Sequence, residues 1–251
     1  KLEEFLADKD EKESSIVPAT SSNGKRKMDG NKRKSEKIEE VTQNQASTSN
    51  AKLPEKLLRK YSQNNFLNLP MIATYRQENI GMDKKRMTGK LLTKLQEHNG
   101  WGCSHSVRVS SYAVGIGKYL GLNEDSIDEL FTAALLHDIG KLFIPARLLD
   151  KTSVLTKAEF QLIKCHIWCG YLLLKVLGYS EEICKAVWNH HERYDGKGYR
   201  KKKKAGLLAE IICVADAYDA MNYSRPYRKG MDRAEIYCAM ETGSGKQFAP
   251  A

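Results

Sequence analysis

The sequence has no apolar run of about 18 residues, so it contains no candidate for a membrane-crossing helix. Its cysteines (Cys103, Cys165, Cys169, Cys184, Cys213 and Cys238) never fall in C-x-x-C spacing, which removes the usual thiolate metal knuckle. A disulfide framework is not expected at this chain length, and the thiols read as reduced, mostly in apolar helical stretches, in a cytoplasmic compartment. Alternating strand patterns are scarce, which points to an all-α fold. No base-reading helix motif accompanies the net charge of +10, so duplex DNA is not an expected partner. The first residue is Lys1 rather than Met, and the native start is read as lying elsewhere, with room for an upstream sensor domain.

Residues 1–52 lack the means to build a core. Lysine plus arginine number 10 in the first 50 residues and aspartate plus glutamate also 10, so the whole positive excess lies beyond them. A polar segment of this kind buries too little to offset the entropy of ordering it, and it reads as a low-complexity tail or linker. Lys25-Arg26-Lys27 and Lys32-Arg33-Lys34 sit among acidic neighbours, which favours a solvated linker over a nucleic-acid patch. Residues 53–82 show no clear pattern and read as a helical lead-in to a folded domain over 83–251.

What that domain does contain is histidine in a regular relation to its apolar faces. Five of the six histidines (His105, His137, His166, His190 and His191), together with Asp138 and Asp216, are spread over about half of the chain. His105 shares a helical stripe with Val109, Tyr112 and Ile116; His137 with Leu130, Ala133 and Ala134; His166 with Leu162, Cys169 and Leu173; His190 with Ile183 and Val187. Asp216 follows Ile211-Ile212-Cys213-Val214-Ala215, where a lone buried carboxylate would be costly. Imidazole nitrogen and carboxylate oxygen suit divalent first-row metals. Seven such groups exceed the needs of one ion and fit a pair sharing a bridging carboxylate. Two ions about 3.5–4 Å apart are a known device for in-line attack on a phosphate ester.

Caps and periodicity place the helices. Asp83 opens one through His98, with Leu91, Leu92 and Leu95 on one face; Ser104 caps the helix carrying His105, and Asn123 the one leading to His137. Thr156 opens a long, nearly all-round apolar helix to Leu177, which predicts a central position. Ser180 precedes Glu181 and Glu182 and leads to His190-His191; Leu207–Met221 is a further helix and Asp232 opens the last.

The stretches H-D-I-G-K (His137 to Lys141), H-H-E-R-Y-D-G-K-G-Y-R (His190 to Arg200), A-D-A-Y-D-A-M (Ala215 to Met221) and R-P-Y-R (Arg225 to Arg228) resemble the HD-GYP branch of the HD hydrolase superfamily. The resemblance covers roughly residues 85–250. It implies an HD-type helical bundle with a dinuclear centre, hydrolysing the bacterial messenger cyclic di-GMP to pGpG, GMP or both. By position it implies metal ligation by His105, His137, Asp138, His166, His190, His191 and Asp216. Lys141, Arg225 and Arg228 fall at its phosphate contacts, and Tyr199 marks its name loop. Three departures stand out. Arg200 replaces the loop's proline, which predicts a less rigid loop; Ala249 replaces the aspartate of an F-D-P; and Trp101 replaces the glutamate of three-metal members, so two ions are expected.

These readings combine into a scheme. Asp138 would be shared by two ions, with His105, His137 and Asp216 holding one and His166, His190 and His191 the other. Two ions held there would supply a bridging hydroxide for attack on phosphorus, and Lys141 would offset the charge gathering on the phosphoryl oxygens. Arg225 and Arg228 fork onto a phosphate or a guanine edge, or else fix their loop by ion pairing. Asp219, one helical step from Asp216, orients a ligand or the nucleophile, or is an ordinary surface or capping carboxylate. Iron or manganese is favoured over nickel or zinc. Lys201 to Lys204 form either a solvated loop or a funnel for an anionic nucleotide. Two other functions remain: an HD hydrolase for a different nucleotide, and a non-catalytic module binding cyclic di-GMP or a signalling partner through Gly198 to Lys204.

Overall fold

Five side chains set the helix starts. Asp83, Asn123, Thr156, Ser180 and Asp232 are all extended in backbone, and each accepts a hydrogen bond from an N–H of the first turn; Thr156 and Asp232 form full capping boxes with Glu159 and Glu235. The computed structural model describes residues 69–100, 102–201, 205–223 and 230–250, with backbone alone at 69 and 70. The tail, the lead-in as far as residue 68, Trp101, the lysines at 202–204 and both Arg225 and Arg228 lie outside these residues.

In chain order the helices are α1 (Leu69–Glu78), α2 (Lys84–His98), α3 (Gly102–Tyr119), α4 (Glu124–Leu136), a 3-10 helix (Ile139–Phe143), α5 (Ala146–Leu149), α6 (Lys157–Lys164), α7 (His166–Val176), α8 (Glu181–Asn189), α9 (Leu207–Asn222) and α10 (Arg233–Gly243). The described residues contain no strand, and the fold is all-α. Helix α3 packs on α4 and α9, α7 on the 3-10 helix and α8, and α8 also meets α4 and α9. The core is aliphatic: Leu91, Leu95, Leu130, Leu135, Leu136, Leu173 and Ile212 are all essentially inaccessible.

Two expected boundaries are corrected. The helix carrying His105 begins at Gly102, so Ser104 lies within its first turn and does not cap it. The long helix from Thr156 breaks at Cys165 into α6, which has no buried residue, and α7, where eight of eleven are buried. The break has a local cause. The Cys165 N–H bonds back to Leu162 O, and His166 Nδ1 takes Ile163 O at 2.7 Å, a carbonyl the regular ladder would have offered to Ile167. Only α7 is central.

One glycine decides how closely the 3-10 helix approaches α7. A Cβ at Gly140 would lie 1.9 Å from His166 O and 2.5 Å from Gly170 N, both backbone atoms. Its absence lets the segment starting at Asp138 lie directly against the start of α7.

Candidate metal centre

Three helix ends and two helix interiors deliver the histidines and Asp216. His137 caps the C-terminus of α4, His166 is the first residue of α7, and His190-His191 follow α8, while His105 and Asp216 lie within α3 and α9. All seven groups named from the sequence converge. Asp138, His166, His190 and His191 form one set, and His105, His137 and Asp216 a second, with the ligand atoms of each set within 4.8 Å of one another. Asp138 stands between the sets: its Oδ1 is 3.5 Å from His166 Nε2, and its Oδ2 is 3.4 Å from His137 Nε2 and 3.8 Å from His105 Nε2.

The tautomers are fixed by what lies behind the rings. His137, His166 and His190 each donate Nδ1–H to the carbonyl three residues earlier (Ala134, Ile163 and Val187), all at 2.7 Å. A carbonyl only accepts, so each Nδ1 carries the proton and each Nε2 presents a lone pair. His105 donates Nδ1–H to Asp219 Oδ2 at 2.7 Å and turns Nε2 toward Asp216 Oδ1 at 3.2 Å.

This arrangement fits a cation. His137 Nε2 is buried without a hydrogen-bond partner. His166 Nε2 and His190 Nε2 face each other at 3.5 Å, two lone pairs with no proton between them when both rings are neutral. Burial keeps them neutral, holding His166 down to about 3 and His190 well below the usual imidazole range. For His191 too, burial is the main cause of a lowered pKa. In His105 the same penalty is outweighed by its hydrogen bonds to Asp216 and Asp219, which raise it to about 9. Burial pushes Asp138 upward, but Lys141 and the surrounding imidazoles hold it well below the carboxylate range. Asp216 is likewise held low, by His105 and neighbouring imidazoles against burial. The bare Nε2 atoms of His137, His166 and His190 beside ionised carboxylates make a divalent-metal donor set.

The remaining named residues divide. Lys141 Nζ pairs with Asp138 Oδ2 and is a quarter exposed, so an ammonium stands at the mouth of the site. Tyr199 lays its ring on His191 (centroids 4.5 Å apart, 36° between planes), and burial raises its phenol to about 12. Asp219 is buried and faces His105 rather than the open site. Arg225, Arg228 and the Trp101 position fall outside the described residues.

In the name loop, Arg200 makes contacts of its own. The Arg200 guanidinium lies 3.6 Å over the Trp188 ring and donates to Asn189 Oδ1 at 2.6 Å, while its backbone N–H donates to Glu192 Oε1 at 2.7 Å. Proline has no such N–H and no such side chain. The sequence reading also missed Arg108, whose guanidinium grips both oxygens of Asp219 at 2.7 and 2.9 Å. Its one sequence signal is its place three residues after His105, on the same helix face.

Known proteins agree with the geometry. The HD domain family matches residues 90–251. The chain is 36% identical over 154 residues to a cyclic di-GMP phosphodiesterase of Thermotoga maritima, covering 58% of this chain and 41% of that protein. It is 34% identical over 171 residues to the cyclic di-GMP phosphodiesterase response regulator RpfG of Xanthomonas campestris, covering 64% and 45%. A 3'3'-cGAMP-specific phosphodiesterase of Vibrio cholerae is 30% identical over 173 residues, covering 67% and 40%. The chain thus spans less than half the length of each of these curated relatives. With the family match over more than half of its length and the H-D, H-H-E and G-Y segments gathered on one centre, the chain belongs to the HD domain family, in its HD-GYP branch.

Proposed function

We propose that this domain is a metal-dependent phosphodiesterase that hydrolyses a cyclic dinucleotide, cyclic di-GMP, to pGpG, GMP or both. The observation that carries the reading is the pair of ligand sets meeting at Asp138. Asp138 would be shared by two ions, His105, His137 and Asp216 would hold one, and His166, His190 and His191 the other. Iron or manganese suits these mixed nitrogen and oxygen donors. Such ions, when bound, supply a water of lowered pKa and polarise phosphoryl oxygens.

The chain's own residues do the rest. The carbonyls of Ala134, Ile163 and Val187 hold three imidazole rings in the tautomer that keeps Nε2 free for ligation. The Lys141 ammonium, at the mouth beside Asp138, is placed to offset charge gathering on a phosphoryl oxygen. Tyr199 fixes the plane of His191. Asp219 orients His105. Arg225 and Arg228 take a phosphate or a guanine edge, as the family pattern implies.

Similarity to a protein named as 3'3'-cGAMP-specific supports a second reading, in which that dinucleotide is the substrate. Anaerobic purification, metal analysis and turnover of both dinucleotides on one sample separate the readings, with Asp138→Ala as control. Two ions per chain and Asp138-dependent cleavage of cyclic di-GMP are expected. Cleavage of 3'3'-cGAMP alone would move the assignment to the second reading. Metal-free, inactive protein that still bound a dinucleotide would make it a binding module, with the Gly198–Lys204 loop the first place to seek a signalling partner.

A further inference from the structure

One amino acid, Arg200, contacts residues on both sides of the His190-His191 pair. Arg200 contacts Trp188 and Asn189 before the pair and Glu192 after it, and Asn189 and Glu192 are both 3% exposed. We propose that Arg200 is a positioning residue for this pair, clamping the turn that presents both imidazoles; the proposal rests on the metal-binding reading of His190 and His191.

The clamp has two separable parts. The guanidinium stacks on Trp188 and donates to Asn189 Oδ1, fixing the last turn of α8. His190 takes its ring orientation from Val187 O in that same turn, so a shift of the turn moves Nε2. The second part is the Arg200 N–H on the Glu192 carboxylate, beyond the pair. Asn189 also donates Nδ2–H to Ala205 O at 2.9 Å, so one buried amide ties both ends of the segment that carries the lysine run.

The loop is shaped to bring Arg200 there. Tyr199 N–H bonds His191 O and Lys201 N–H bonds Gly198 O, each at 3.3 Å. A Cβ at Gly198 would meet the Glu192 Cα at 2.5 Å and the His191 O at 2.6 Å. Lys201 leaves the turn at φ +56°, a conformation that a side-chain-bearing residue rarely adopts. A proline at 200 would remove both parts of the clamp.

Arg200→Ala removes the side chain and keeps the N–H; Arg200→Pro removes both; Arg200→Lys keeps a cation without the planar fork. Amide hydrogen exchange over residues 188–200 of the metal-free protein reads the clamp directly. Cobalt titration, followed by calorimetry and by the visible d–d bands, reads its consequence. Arg200→Ala should speed exchange about tenfold and weaken one cobalt site about 10–100-fold, with the other site and the unfolding midpoint little changed. Arg200→Lys should recover part of the loss, and Arg200→Pro should exceed Arg200→Ala. Wild-type exchange in Arg200→Ala would overturn the proposal. So would equal weakening of both sites alongside a lowered midpoint, which is the mark of a general packing role. If the wild type bound no cobalt, the metal reading would fall, while exchange would still decide the clamp.

Discussion

Asp219 and Arg108 form a two-pronged ion pair, Nε to Oδ1 at 2.7 Å and a terminal nitrogen to Oδ2 at 2.9 Å. The same Oδ2 takes the Nδ1–H of His105 at 2.7 Å, so the arginine steadies the carboxylate that steadies the imidazole. Tyr223 lies 3.7 Å from the guanidinium carbon and completes the stack. Asp219→Asn keeps the shape but removes the charge, and it should weaken metal binding at the His105 set about 10–100-fold. Arg108→Ala should give a smaller loss. Calorimetric manganese titration checks both, and wild-type affinity in Asp219→Asn would remove the orienting role.

Gly140→Ala should be among the most damaging single-methyl additions in the domain. The new carbon would be forced onto the backbone at His166 and Gly170, which no rotamer change relieves. Overpacking typically costs about 1–3 kcal/mol, and a backbone clash belongs at the upper end. The expected drop in unfolding midpoint is about 5–10 °C for a domain of this size. Unchanged melting would mean the 3-10 helix and α7 can part without cost.

Alkali should destabilise the core, in part through Cys184 and Tyr179. Burial raises the Cys184 thiol and the Tyr179 phenol, each to about 12, and Tyr179 shares a 2.9 Å hydrogen bond with buried Thr88. Both groups titrate earlier in the unfolded chain, with thiol near 9 and phenol near 10. Their contribution is therefore complete below about pH 9 and is lost as pH rises toward 12. Urea midpoints measured from pH 8 to 11 should fall steadily, and Cys184→Ala with Tyr179→Phe should flatten the slope. At pH 8, exposed Cys238 should react with iodoacetamide while buried Cys184 does not.

Charge reversal at Lys201 and Lys204 tests the lysine run as a funnel. Turnover at saturating substrate should be unchanged while kcat/KM falls at low salt, because steering acts on encounter and is screened. Indifference of kcat/KM to both salt and mutation would leave a solvated loop.

Much of this domain is legible in local chemistry. Capping by Asp83, Asn123, Ser180 and Asp232 needs only the next three residues, so those helix starts are found where the sequence puts them. The inward phase of His137, His166 and His190 is also local, since each shares a stripe with apolar neighbours. The break at Cys165 escaped because the His166 side chain competes with the backbone for Ile163 O, and composition does not report such competition.

The sequence by itself determined an all-α chain, the identity of seven metal-type groups and their placement on buried helix faces or ends, because helical period and residue chemistry are properties of short segments. Tertiary structure decided the division of those groups around Asp138, the Asp219–Arg108 support behind His105 and the Arg200 grip on Trp188, Asn189 and Glu192. Asp219 and Arg108 are 111 residues apart. Pairings at that range are set by how helices pack, which no local pattern encodes.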